Sequence, residues 1–160
     1  MGRSKEIIIR SGHNIDPLLI EEVAMQHPSV AQAAAIAMPD AYAGELPVLY
    51  AAPTPGATVE HTEILEFVNQ RIAEPPARPK HVFVMPELPL TPLGKIARYR
   101  LRQDAAEHQA RRALAGLGME SIHCSDNTAK RITVTWNADT SADQKANAAN
   151  LLSELGLFLD

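Results

Sequence analysis

Lys95 stands between Gly94 and Ile96 in the stretch PLTPLGKIARYRLR, a proline-bracketed turn that opens onto a basic run. A lysine is a compact charge on a flexible stem, suited to reach a phosphate or a carboxylate. The glycine before it lets a backbone approach a ligand closely. Taken alone, Lys95 reads as a solvated cation at a helix start. A positive charge there opposes the helix macrodipole, a weak hint that the position serves something else. A second loop, SGHNIDP, again sets a glycine, Gly12, among polar neighbours, here Ser11, His13 and Asn14.

Other chemistries find no footing. The histidines His13, His27, His61, His81, His108 and His123 are scattered, with no HExxH or CxxC pattern. His123 and Cys124 are adjacent but have no companions for a metal. There is no GxSxG, and Cys124 falls in a predicted strand, where a buried structural thiol is expected. Gly94-Lys95 is followed by Ile96, and a proline rather than a glycine stands at position 89, so the pair is not a phosphate loop.

The elements that must carry the two loops follow from pattern. KEIIIR reads as a short buried strand and SGHNIDP as a loop. Asp16 caps a helix that starts at Pro17 and turns Leu19, Ile20, Val23 and Met25 toward a core. VAQAAAIAMP and LPVLYAAPT are strands around the loop DAYAGE. Thr58 to Ala73 is an amphipathic helix broken by EPPARP, and KHVFVMP is a further strand. After the Lys95 turn a long polar helix runs from about Ile96 to Leu114. Beyond GLG, ESIHCS and KRITVTWN form a hairpin with Ile132, Val134 and Trp136 on one face, and Ser141 to Leu155 is helical. The class is α+β: a small mixed sheet with helices on one face, plus an appended ββα unit.

Composition bounds the rest. A chain of 160 residues suffices for one domain plus a small appendage. The formal charge of -4 excludes nucleic-acid binding by bulk charge. One cysteine excludes an internal disulfide and fits a reducing cytoplasm. No apolar run is long enough to be a transmembrane segment, and MGRSKEIIIRSG lacks a signal-peptide pattern. A strand begins almost at once, so the chain reads as a piece of something longer.

Three stretches in order and in register carry a resemblance: GRSKEIIIRSGHNIDPLLIEEV, HPSVAQAAAIAMPDAYAGELP and RPKHVFVMPELPLTPLGKIARYRLR. From about Gly2 to Arg102 the chain resembles the C-terminal domain of the AMP-forming, adenylate-forming superfamily. Its members include acyl-CoA synthetases, peptide-synthetase adenylation domains and beetle luciferases. The wording of SGHNIDP and ELPLTPLGKI is most similar to bacterial fatty-acyl and related acyl-CoA synthetases. The resemblance implies a lid, residues 1–105, followed by a helical connector, 106–118, and a C-terminal extension, 119–160.

It also implies roles. A large N-terminal domain, the partner of this one, binds ATP, Mg2+ and the carboxylic acid. The lid takes one pose to form the acyl-adenylate and rotates to a second in which CoA attacks. Lys95 matches the catalytic adenylation lysine, and Lys5 the hinge residue. Ser11, Gly12, His13 and Asn14 match the CoA-side loop, where Gly12 would let the pantetheine arm pass. Asn14 stands where some relatives carry an arginine, so a phosphate contact there is in doubt. Arg78 and Lys80 lie near positions that contact the CoA nucleotide in some relatives. Gly44-Glu45 is read as turn-shaping, and Arg98, Arg100 and Arg102 as a solvated or interdomain helix face. The superfamily's phosphate loop and magnesium glutamate motif are absent from these 160 residues, so the chain alone is expected not to make acyl-CoA.

Two rival readings stand beside this one: a lid that loads a carrier protein instead of CoA, and a standalone non-catalytic binding module. The edge strands of the extension could lengthen the first sheet, pair two copies into a homodimer, or cover the helix face of Ile96 to Leu114.

Overall fold

The computed structural model describes residues 6–160. Lys5, matched to the hinge, lies outside the described residues. The chain runs β1 (Ile8–Arg10), β2 (His13–Ile15), α1 (Pro17–Ala24), β3 (Val30–Asp40), β4 (Gly44–Pro53), α2 (His61–Arg71) and, after a 3-10 turn at Pro75–Ala77, β5 (His81–Val84). It continues with α3 (Arg98–Ala113), β6 (Met119–Cys124), β7 (Arg131–Trp136), α4 (Ala142–Glu154) and β8 (Phe158–Leu159).

The first sheet has the order β2-β1-β4-β3, with β5 parallel to β4. β3 and β4 form its long antiparallel pair, from Val30 opposite Pro53 to Asp40 opposite Gly44. Their sequences are almost continuously apolar because both faces are covered. Ala33, Ala35, Leu49 and Ala51 meet Ile20 and Ala24 of α1 and Ile64 and Val68 of α2. Ala34, Ile36, Met38, Val48 and Tyr50 meet Leu101 and Ala105 of α3. Helices therefore lie on both faces, not on one as the pattern suggested: the polar α3 hides its few apolar positions against the second face.

Two further expectations change. SGHNIDP is not an open loop. Ser11 and Gly12 have φ of 49° and 83°, the positive pair that a tight type I′ hairpin requires, and His13–Ile15 turns back onto β1 with Arg10 opposite His13. Leu19 of α1 and Met25 at its C-cap are exposed, and Glu21 is buried in their place. The appended unit is ββαβ: after α4, the two residues of β8 return parallel to β7, giving the sheet order β6-β7-β8.

Candidate functional site

The Lys95 turn is a closed hairpin. Leu90 and Ile96 form an antiparallel bridge, and the Ala97 N–H donates to the Pro89 carbonyl at 2.7 Å. Within it, the Thr91 N–H donates to the Lys95 carbonyl at 2.6 Å and the Gly94 N–H to the Thr91 carbonyl at 2.9 Å. The Thr91 hydroxyl oxygen accepts the Lys95 N–H at 3.2 Å. Gly94 has φ of 79°, with nothing within 4 Å of an added Cβ, so conformation, not crowding, demands glycine there. Lys95 is exposed, and no ion pair among the described residues engages it. The hairpin leads straight into α3.

The Ser11–Asn14 loop is the turn between β1 and β2. Its hairpin leads into α1 on the opposite face of the sheet, with Ile8 and Ile15 anchored in the α1–α2 core. The Ser11 N–H donates to the Ala43 carbonyl at 2.9 Å, which ties the loop to the turn at 41–43. That turn is shaped by Asp40, whose carboxylate accepts the N–H groups of Tyr42 and Ala43 at 3.0 and 2.8 Å. A Cβ at Gly12 would meet nothing within 4 Å, so its backbone is open to a passing chain. Ser11, Gly12, His13 and Asn14 are all exposed. The Glu45 carboxylate accepts the Ile9 N–H at 2.8 Å, which gives this residue a fastening task beyond shaping the turn.

Arg78 and Lys80 follow the 75–77 turn, to which the β1–β2 hairpin is tied. Arg10 donates to the Pro76 carbonyl at 3.1 Å and so holds the hairpin against the 75–77 turn. Arg78 spends its Nε on the Ile72 carbonyl at 2.9 Å, closing the end of α2. Lys80 is exposed, its backbone N–H fixed to the Pro47 carbonyl at 2.8 Å. Beside it Arg112 approaches His81 Nε2 at 3.4 Å. Burial holds the His81 imidazole below its ordinary range, helped by the charges of Arg112, Lys80 and His108.

Nothing ties Lys95 to the Ser11–Asn14 loop among the described residues: one hairpin leads into α3 and the other into α1, helices that pack on opposite faces of one sheet. Among the described residues no group of three or more His, Cys, Asp or Glu is placed to hold a metal ion. Cys124 is buried, and burial pushes its thiol up to about 11, so it is no nucleophile near neutral pH.

Arg98 departs from the expected solvated face. It bonds Glu21 of α1 and the Ala35 carbonyl, and lies 3.7 Å from Glu6. Sequence reading also passed over Thr91. Its signal was a hydroxyl placed four residues before the lysine of a Gly-Lys turn.

Residues 19–95 match the model of the AMP-binding enzyme C-terminal domain. The chain is 41% identical to the marinolic acid–CoA ligase of Pseudoalteromonas sp. over 158 residues, 96% of this chain and 24% of that protein. It is 34% identical to the medium-chain fatty-acid–CoA ligase of Escherichia coli over 104 residues, 64% of this chain and 18% of that protein. Among solved structures it is similar to an acyl-CoA synthetase from Brucella canis. The TM-score is 0.59 at 31% identity, covering 68% of this chain and 20% of the other. The chain spans no more than about a quarter of the length of these curated relatives.

Proposed function

Since the chain belongs, through residues 19–95, to the AMP-binding enzyme C-terminal domain family, we propose that residues 1–105 are the mobile lid of an AMP-forming acyl-CoA synthetase. In this reading 106–118 connect the lid to an extension, 119–160. The observation that carries the reading is Lys95, an exposed cation on a hydrogen-bonded hairpin at the end of the family match.

In the first half-reaction a substrate carboxylate oxygen attacks the α-phosphorus of ATP. Pyrophosphate leaves and an acyl-adenylate forms. Negative charge builds on the phosphate oxygens, and a cation held in place stabilises that charge more than the ground state. Lys95 supplies it. In the second half-reaction the CoA thiolate attacks the acyl carbonyl and AMP leaves. The Ser11–Asn14 loop serves this step, with the pantetheine arm passing the open backbone of Gly12. Two separate stations, whose hairpins lead into helices on opposite faces of one sheet, suit a body that turns between poses, with Lys5 as the hinge. ATP, Mg2+ and the acid are held mainly by the N-terminal domain. Arg78 and Lys80 stand on the CoA side, Lys80 with the freer side chain. The names of the relatives favour CoA over a carrier-protein thiol. The edge strand β6 offers the surface through which two copies would pair.

Lys95→Ala in the full-length enzyme tests the assignment. Acyl-adenylate formation, followed by pyrophosphate exchange, should fall about 100-fold or more. Thioester formation from supplied acyl-adenylate should continue. Equal loss of both halves would overturn the role of Lys95.

A further inference from the structure

Lys95 is tied through both of its backbone polar groups to one other residue. The Thr91 N–H donates to its carbonyl at 2.6 Å, and the Thr91 hydroxyl accepts its N–H at 3.2 Å. The first bond is main chain to main chain and would survive any substitution that keeps an N–H at position 91. The second exists only because residue 91 bears a hydroxyl. Together they fix the peptide units on either side of the Lys95 Cα, so the Cα–Cβ vector cannot swing without breaking one of them. This matters for a lysine more than for most residues. Four rotatable bonds separate its Cβ direction from the ammonium, and a small change at the base is magnified at the tip. Threonine suits the task because its branched Cβ restricts χ1 and keeps the hydroxyl aimed. Gly94, at φ of 79°, turns the chain so that the Lys95 N–H faces back to Thr91.

We propose that Thr91 is a positioning residue for adenylation, its hydroxyl setting the backbone from which Lys95 reaches the reacting phosphate. The proposal rests on the reading of Lys95 given above. Thr91 itself does not touch substrate. Its contribution belongs to the half-reaction that uses Lys95 and is absent from the one that uses the Ser11–Asn14 loop.

The test is made in the full-length enzyme with Thr91→Val, Thr91→Ser and Lys95→Ala, following each half-reaction separately. Valine keeps the shape and loses the acceptor; serine restores it. Thr91→Val should lower kcat for adenylation about tenfold, as expected for a misplaced catalytic group. KM for ATP and the thioester half-reaction should stay as in the wild type, and Thr91→Ser should recover most of the loss. Wild-type adenylation by Thr91→Val beside an impaired Lys95→Ala overturns the positioning role and leaves Lys95 in place. Loss in both half-reactions, or a serine variant as impaired as the valine one, overturns it equally. Normal adenylation by Lys95→Ala overturns both readings at once.

Discussion

Arg98 and Glu21 do at the rim of the sheet what a neighbouring strand would otherwise do. β3 is an edge strand. Its Ala35 N–H donates to Glu21 Oε1 at 2.9 Å, and its Ala35 carbonyl accepts from Arg98 at 3.2 Å. The two side chains bond each other, and Gln109 covers the Pro39 carbonyl at 2.8 Å. An exposed strand edge invites pairing with other chains, and here charged side chains occupy it. The Arg98 and Glu21 side chains are only 18% and 11% exposed, so removing Arg98 leaves Glu21 charged, largely buried and without its cation. Arg98→Ala should cost about 3 kcal/mol in urea unfolding. In a Glu21→Gln background the same change should cost at least about 1 kcal/mol less, because no charge is stranded. A cost within about 0.5 kcal/mol of zero would remove the edge-capping account. None of this was legible in the sequence, where Arg98 looked like Arg100 and Arg102. The pairing spans 77 positions, and only the fold shows that the first turn of α3 faces the open edge.

Elements were legible where one local rule decided them. Asp16 caps α1 as read, accepting the Leu18 N–H at 3.0 Å. The alternation of Ile132, Val134 and Trp136 gave β7. β8 was missed because two residues are too short for periodicity, and the SGHNIDP hairpin because its turn uses a serine with positive φ. The β6–β7 hairpin depends on Asp126. Its Oδ1 accepts the N–H groups of Lys130 and Arg131 at 3.0 and 2.8 Å, and Oδ2 accepts the Thr128 hydroxyl. Desolvation pushes this carboxyl up, but the Thr128 hydroxyl and the Arg131, Lys130 and Thr128 N–H groups together outweigh it and hold it at about 2. A depressed carboxylate stabilises the fold fully above its unfolded value, and that stability is lost as pH falls through the folded one. Acidification from about pH 4 to about pH 2 should therefore lower the protection of the Lys130 and Arg131 amides, relative to their intrinsic exchange, ahead of β3. Asp126→Asn keeps an acceptor without a titrating group, so its hairpin should lack that acid step. An unchanged acid step in the variant would place the titration elsewhere.

At the scale of the whole molecule, α3 joins the first sheet and the ββαβ unit as one beam. Leu101 and Ala105 close the sheet core, while Ala106, Ala110 and Leu114 enter the core of the ββαβ unit with Ile122, Ile132, Leu152 and Leu157. Small alanines let the extension approach α3 closely. Polar ties reinforce the seam: Gln103 donates to the Asp126 carbonyl at 3.0 Å, and Glu107 accepts the Cys124 N–H at 2.8 Å. From the sequence the extension could equally have lengthened the first sheet, formed a dimer or covered this helix, because alanines on a polar helix do not announce a partner. The structure shows the helix covered. A chain ending at residue 118 would leave Leu114 and Ala110 in water, at about 25 cal/mol per Å² of apolar surface. That loss, about 2–3 kcal/mol for a leucine and its alanine neighbours, should lower Tm by about 8–12 °C. The second half of α3 should lose amide protection while β3 and β4 keep theirs. If Tm and α3 protection were unchanged, the helix would stand without the extension, and the shared core would contribute nothing to holding the two parts as one body.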